Sequence, residues 1–309
     1  SKGSDEIRIA FVTNQIADFW NIAKAGCRDA EKDLGIKVVV KMPPEASVVK
    51  QKQIVEDLIS SGVKGIAISP LDADNQIAWL DKIAKKVPLI THDSDAPKAK
   101  RLCYIGMDNY KAGRMCGELV KEALPDGGAV MLFIGRLEQD NSKHRRQGVI
   151  DGAFDRSNDP DRNDAPDAQI TSENGKFQLI GTYTDQFDRA RGKANVEDAL
   201  SRHPDLACVV CLFGYNPPLA IEALRGAGKL GEVKIVAFDE DPSHIKAILL
   251  IVAQGCEYVL EKPRPRVLMT EFGDYSKKFM LYAWIDDYNN ERFARDLLLM
   301  DIDAAFERE

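Results

Sequence analysis

The sequence has no apolar run approaching the roughly 18–20 residues needed to span a bilayer as a helix. It opens SKGSDE, without the charged-then-apolar pattern of a signal segment, so the expectation is either a cytosolic protein or an exported one whose signal has been removed. Only 4 of its 309 residues are histidine. His92, His144, His203 and His244 are scattered, with no HExxH or other ligand spacing, so no metal site is expected. No GxSxG elbow and no phosphate loop is present, which removes the common nucleophilic and nucleotide-dependent chemistries, and no cofactor is expected. Basic residues are outnumbered: the net charge is -7, which argues against nucleic acid or an anionic membrane surface as the main partner.

Cysteine is sparse for a disulfide scaffold, at 6 residues in a chain this long. Cys208 and Cys211 form a CxxC, but it lies inside the strand-like run LACVVCLF. A redox pair needs a helix N-terminus to lower a thiol pKa, and a zinc site needs a second ligand pair, so buried structural thiols are the reading. Residues 226–231, GAGKLG, match GxGxxG, yet they follow a helix and precede a strand, the reverse of a dinucleotide fingerprint.

What is present is alternation. IRIAFVT (7–13) is an apolar strand-like run, after which Phe19, Ala23, Cys27, Ala30 and Leu34 recur at helical spacing. Strand-like IKVVV (36–40), GIAISP (65–70), VPLITHDSD (87–95) and LCYIGMDN (102–109) alternate with helix-like VKQKQIVEDLISSG (49–62), NQIAWLDKIAKK (75–86) and YKAGRMCGELVKEAL (110–124). Short apolar strands separated by amphipathic helices predict parallel βαβ units and an α/β fold.

The order then repeats. GAVMLFIG (128–135) matches IRIAFVT, residues 177–214 match 36–70, NPPLAIEALRGAG (216–228) matches NQIAWLDKIAKK, and AFDEDP matches THDSDAP. Two similar doubly wound parallel-sheet domains follow from this doubling, and ligands of such sheets bind beyond the strands' carboxyl ends. Facing one another, the domains bring Asp93 and Asp239 to opposite sides of one cleft. The loops 14–20, 137–145, 185–188 and 214–216 join them.

Those loops carry candidate ligand contacts. Phe19 and Trp20 can cover core or offer a flat face for the C–H side of a sugar ring. Asp93 and Asp239 can accept charge-assisted bonds from neighbouring hydroxyls or cap the following helix; Asp241-Pro242-Ser243 is the better helix start, which leaves Asp239 for ligand. Arg145 offers a rigid fork of donors, while its neighbour Arg146 points to another face. Asn141 and Asn216 can both donate and accept, and Asn216-Pro217-Pro218 equally resembles a helix N-terminus. Two carboxylates across a cleft could also cleave a glycosidic bond, the enzymatic alternative.

At VTNQIADFW, ITHDSDAP, IGMDNYKAGRMCGEL, NSKHRRQG, FGYNPP and AFDEDP, the sequence resembles the ribose-type periplasmic sugar-binding proteins, the solute receptors of ABC importers; the match covers most of residues 7–245. The resemblance implies the type I periplasmic binding protein fold: two lobes joined by three hinge crossings, closing without catalysis on a monosaccharide for delivery to a membrane permease, in an exported monomer. It implies an aromatic sandwich of Phe19 and Trp20 with Phe187, polar contacts from Asn14, Asp93, Arg145, Asn216 and Asp239, and a first crossing at Asp108 and Asn109. It implies domains of 5–107 plus about 240–285, and 108–239 plus about 286–309. Beyond 245 the family has a strand ending in a ligand-contacting glutamine, for which Gln254 is the candidate; EKPRPRV reads as a loop, and EFGDYSKKFMLYAW as the family's helix. A LacI-type repressor core shares the fold, but only Ser1 to Glu6 precede the first strand, so the expectation there is at most a truncated core without its DNA-binding segment. A sugar sensor for a chemoreceptor or membrane kinase differs in partner and not in pocket.

Overall fold

The expected alternation of strands and helices resolves into two mainly parallel five-stranded sheets. The computed structural model describes residues 6–17, 19–239, 242–272 and 277–308. By its contacts the chain divides into two units, Ser1–Phe238 and Asp239–Glu309.

The first unit holds two five-stranded sheets. One lobe contains β1 (Arg8–Val12), β2 (Lys37–Lys41), β3 (Ile66–Ile68), β4 (Leu89–His92) and β5 (Tyr104–Ile105), in the order β2-β1-β3-β4-β5, all parallel. Its helices are α1 (Trp20–Leu34), α2 (Val48–Ser60) and α3 (Ile77–Ala84). The chain then enters α4 (Asn109–Ala123) and the second lobe: β6 (Gly128–Ile134), α5 (Asp140–Ala153), β7 (Ile170–Thr171), β8 (Phe177–Thr184), α6 (Arg189–Arg202), β9 (Leu206–Cys211), α7 (Asn216–Gly226) and β10 (Lys234–Ala237). Its sheet runs β10-β9-β6-β8-β7, with β7 antiparallel. Read from the other edge, β8-β6-β9-β10 repeats β2-β1-β3-β4, the spatial counterpart of the doubling in the sequence.

The lobes differ in how their faces are covered. In the first, Ala10, Val12, Ile66, Ile68 and Leu89 pack against Val55 and Leu58 of α2 and Leu80 and Ile83 of α3 in one buried cluster. The opposite face carries Ile9, Phe11, Ala67 and Ile90, all half-buried, and Trp20 is the one buried residue of α1. The second lobe has a buried cluster on each face, one including Val120 of α4 and Val149 of α5, the other Val196 of α6 and Leu224 of α7. Cys116, Cys208 and Cys211 lie within these clusters, and all six cysteines are unbridged thiols. Burial pushes Cys116 and Cys208 up to about 12, so both stay protonated and unreactive.

Small residues set the α4–α5 approach. A Cβ on Gly113 would strike the carbonyl oxygen of Arg145, one on Gly148 that of Tyr110, and those on Gly117 and Gly152 the facing backbone. The GAGKLG stretch is a helix-ending loop, with Gly228 and Gly231 at φ 68° and 89°.

The second unit contains α8 (Pro242–Gly255), β11 (Arg266–Phe272), β12 (Lys277–Tyr282), a short 3₁₀ turn at Tyr288–Asn290 and α9 (Glu291–Arg308). β11 and β12 form an antiparallel two-stranded sheet of their own, with a bulge between Met269 and Glu271, and α8 packs against both strands and α9. Among its described residues the helix expected over EFGDYSKKFMLYAW is not formed: Glu271, Phe272 and Lys277–Tyr282 are strand, with the apolar run Phe279–Tyr282 paired to Met269–Arg266. The expected assignment of 240–285 to one lobe and 286–309 to the other is not the division the contacts give, because β11 and β12 pair only with each other. The cap assigned to Asp241 lies outside the described residues.

Substituting Gly113→Val should lower unfolding stability by at least about 3 kcal/mol, because the added atoms meet backbone that cannot yield cheaply. Gly26→Ala, on α1 with nothing within 4 Å of the added Cβ, should be neutral or stabilising by up to about 1 kcal/mol. Urea unfolding of the two variants against the parent tests the contrast.

Candidate functional site

The loops beyond the first lobe's strands are tied down by buried glutamines. Gln51 of α2 takes a place on that helix's buried face with Val55 and Leu58. Its Nε2 donates to the carbonyls of Thr13 (3.0 Å) and Ser69 (2.7 Å). Gln76 donates to Gln51 Oε1 (2.9 Å) and accepts from the amides of Leu71 (2.8 Å) and Asp72 (2.9 Å). These bonds satisfy backbone that strand pairing leaves unpaired and hold the loops after β1 and β3 together.

Asn14 and Trp20 are both buried and joined: Trp20 Nε1 donates to Asn14 Oδ1 at 3.0 Å. Trp20 lies edge-on to Phe11 and His92, and His92 stacks on Phe11 with centroids 4.0 Å apart. Burial pulls His92 down to about 4, against a hydrogen bond to the Val12 backbone, so the ring is neutral at neutral pH. Phe19, edge-on to Trp20, is 51% exposed. Of the two aromatics, Trp20 belongs to packing and Phe19 offers the accessible ring.

Asp93 ends β4 with φ 59°, and Asp239 follows β10 with φ 68°. The left-handed conformation is tolerated by aspartate far better than by bulky residues, which gives the shared acidic ending a backbone reason. Asp93 Oδ2 accepts from Ser69 Oγ (2.9 Å) and from Asn141 Nδ2 (3.5 Å), and its carbonyl accepts from Tyr104 (2.9 Å). Asp239 is exposed. Two residues after Asp93, Asp95 accepts from Thr91 Oγ1 (2.6 Å), the Ala96 amide (2.7 Å) and both arms of Arg101 (2.5 Å each).

In the second lobe, Gln186 and Phe187 are also left-handed, at φ 58° and 65°. Phe187 lies over Gly135, where a Cβ would enter its ring, and packs edge-on against Phe213 and Tyr215. Asp185 is buried beneath this aromatic group and accepts from Tyr215 (2.6 Å), the Phe187 amide (2.8 Å) and Asn216 Nδ2 (2.9 Å). Burial raises its pKa despite these three bonds. Asn216 opens α7 and also accepts from the Phe213 amide (3.2 Å), so its side chain closes the 213–216 loop.

Arg145 is buried. Its Nε and Nη2 donate to Asn109 Oδ1 (3.2 and 3.0 Å), Nη1 donates to the Leu212 carbonyl (2.7 Å), and the guanidinium lies 3.9 Å from the Phe238 ring centroid. The fork thus grips the start of α4, where Asp108 Oδ1 caps the helix by accepting from the Lys111 amide (3.0 Å). Arg146 points elsewhere, to Thr182 Oγ1 (2.7 Å) and the carbonyls of Asp164 and Ala165. Gln254 is exposed on α8 and ends no strand, because AILLIVAQG carries apolar residues at helical spacing.

One segment of the second lobe, residues 136–143, meets the strand-end loops of the first. Arg136 donates to the Ala46 carbonyl (2.8 Å), the Ala73 amide to the Glu138 carbonyl (3.0 Å), and Gln139 to the Pro70 carbonyl (3.4 Å). Asn141 reaches Asp93, and Lys143 pairs with Asp74 at 2.8 Å. Of the expected site residues, Asp93 and Asn141 meet at this seam. Sequence reasoning missed Ser69, Gln51 and Gln76, while Gln139 and Asp185 fell within the expected cleft loops 137–145 and 185–188 without being assigned a contact. Gln51 had a legible signal, an amide on a helix position beside the apolar Val55 and Leu58. Among the described residues no cluster of metal-ligating side chains occurs.

Burial raises the Asp95 carboxyl, but the Arg101 fork, with Thr91 and Ala96, outweighs it and holds the group below its ordinary value. A depressed carboxylate contributes stability above its unfolded pKa of about 4 that is lost as pH falls through the folded value. Arg101→Met should therefore cost on the order of 2 kcal/mol at pH 7 and flatten the fall in stability below about pH 4. Denaturant unfolding across pH measures both.

The family described as the periplasmic binding protein domain matches residues 9–260. The ribose import binding protein RbsB of Salmonella typhimurium is 26% identical over 250 residues, covering 79% of this chain and 75% of its own. The D-allose-binding periplasmic protein of Escherichia coli is 25% identical over 240 residues, covering 74% and 71%. Among solved structures, an ABC transporter solute binding protein from Burkholderia graminis in complex with D-arabinose is 26% identical, with a TM-score of 0.69 over 80% of this chain and 81% of that one. Residues 235–309 match a second family, described as the mechanosensitive ion channel MscS, C-terminal, which accounts for the fading of the sugar-receptor pattern beyond 245. The two lobes with their repeated strand order, and a family match running from β1 through α8, establish that the chain belongs to the periplasmic binding protein domain family.

Proposed function

We propose that the first unit binds a monosaccharide, without turnover, between the strand-end loops of its two lobes, and presents it to the permease of an ABC importer from an exported location. The observation that carries this reading is the meeting of Asp93 and Asn141: a carboxylate from one lobe and an amide from the other converge where open parallel sheets bind ligands. The relatives named for ribose and allose, and the structure holding D-arabinose, support a sugar as the ligand.

The proposed roles follow the geometry. Asp93 accepts from sugar hydroxyls, the most strongly held contact, since bonds to an ionised acceptor are about twice as strong as neutral ones. Phe19 supplies the apolar face and Phe187 the opposing ring; Asn14, Asn141 and Asn216 complete the polar lining. Arg145 bears on the ligand chiefly by holding Asn109, so its loss should disturb closure as well as contact. Asp108 and Asn109 form the hinge crossing. A ligand touching both lobes selects the closed arrangement, which is the form a permease recognises.

A thermal-shift panel of D-ribose, D-allose, D-arabinose and other monosaccharides tests the reading, because a ligand that binds only the folded state raises Tm. For the best ligand, Asp93→Ala should weaken binding by about 100-fold, two lost charge-assisted bonds. Phe19→Ala should weaken it by about tenfold with little change in Tm of the free protein, whereas Trp20→Ala should lower that Tm, its ring being buried. A flat panel, or affinity that survives Asp93→Ala, refutes the site. Sugar consumption that disappears in Asp239→Asn while binding persists refutes the non-catalytic reading in favour of an enzyme.

A further inference from the structure

We propose that the second lobe carries a ligand site of its own, on the exposed face of α4, which takes a small organic carboxylate with an apolar body. The proposal does not depend on the sugar-binding reading. Tyr110, Lys111, Arg114, Met115 and Glu118 of α4, with Asn158 of the loop that follows α5, line a cavity of about 440 Å³. That volume is within the range of small-molecule sites. The spacing of the five α4 residues puts them on one side of the helix.

The wall facing the helix is held in place from beneath. Asp151 of α5 is fully buried and accepts from Tyr110 Oη (2.7 Å), Gln147 Nε2 (3.0 Å) and Arg162 Nη1 (2.5 Å). The Asp159 amide donates to Tyr110 Oη at 2.9 Å. These bonds fix the loop of Asn158 against the first turn of α4, so little ordering is left to be done when a ligand enters.

The basic groups next to the cavity are matched. Lys121 pairs with Asp155 (2.5 Å) and Glu118 (3.4 Å), Arg156 with Asp164 (2.6 Å) and Arg162 with Asp151. The two cations of the lining itself are not: among the described residues neither Lys111 nor Arg114 has an ion-pair partner. Glu118, one turn along from Arg114, is engaged by Lys121 instead. Arg114 Nη1 is shielded from solvent and has no hydrogen-bond partner among the described residues. An unsatisfied buried donor is rare, and on a charged group it is costly. The Tyr110 hydroxyl beside the guanidinium does not remove that cost, because it is already committed to Asp151.

The lining selects among anions. A carboxylate matches the planar guanidinium with two parallel bonds, and Lys111 adds a second charge. The Asn158 amide can donate to it as well. Met115, 65% exposed, and the Tyr110 ring offer apolar surface to the rest of the ligand. Phosphate meets the cations but leaves that surface uncovered, and a neutral sugar leaves both cations unmatched.

Saturation-transfer NMR and calorimetry on the full chain, with benzoate and hexanoate against inorganic phosphate, test the site. The wild type should bind both carboxylates with Kd on the order of 1 mM. Arg114→Gln should weaken them by about tenfold or more, and Lys111→Met by about fivefold. No binding of either carboxylate to the wild type overturns the proposal, as does phosphate bound as tightly as benzoate. So does affinity that survives Arg114→Gln; should that variant not fold, Lys111→Met decides in its place, its side chain being exposed. Asp93→Ala should leave carboxylate binding unchanged. Its loss there would put the carboxylate in the proposed sugar site and end this inference, whereas a flat sugar panel leaves it standing.

Discussion

The contact between residues 136–143 and the loops at 46, 70–74 and 93 is the constraint on which the rest depends. Each sheet alone would present a shallow crevice at its carboxyl edge. Backbone pairing of Ala73 with Glu138, bracketed by the Arg136 and Lys143 contacts, brings two such edges into register. The buried Gln51–Gln76 pair matters for the same reason: it fixes the first lobe's loops before anything meets them, so less conformational entropy is lost on closure.

The doubled acidic ending has a backbone basis deeper than the residues' charge. Asp93 and Asp239 both turn the chain out of a parallel strand through a left-handed conformation, and four strands of each sheet share one order. The copies have since diverged in packing. The second lobe is cored on both faces, whereas the first concentrates its buried side chains beneath α2 and α3 and leaves its α1 face half-covered.

Much of the fold was legible because its signal is local. Short apolar runs and period-3.6 patterns located most strands and helices of the first unit, and the repeat predicted two similar parallel sheets. What failed was the stretch beyond 245, where resemblance to one family supplied a helix for residues that pair as strands; the Gly273-Asp274 step in the sequence, a hairpin signal, pointed the other way. Within the candidate site, acids at strand ends could be nominated from pattern, since their backbone position follows from the strand. Long side chains could not. Whether Arg145 turns to a ligand or to Asn109, and which of two adjacent aromatics is covered, depends on neighbours distant in sequence. Gln51 escaped notice because an amide on a helix is ordinarily solvated, and Gln76 and Gln139 because they precede their helices, outside the periodic pattern.

The glycines at 113, 117, 148 and 152 bear on motion as well as packing. Helices drawn that close, backbone against backbone, behave as a single beam, so α4 must travel with the second lobe from its first turn onward. In the proposed hinge motion, bending would fall on the residues between Ile105 and Asp108, ahead of the Asp108 cap. The Arg145–Asn109 clasp fastens the beam just beyond that stretch, so a disturbance felt by the arginine would reach the proposed axle directly.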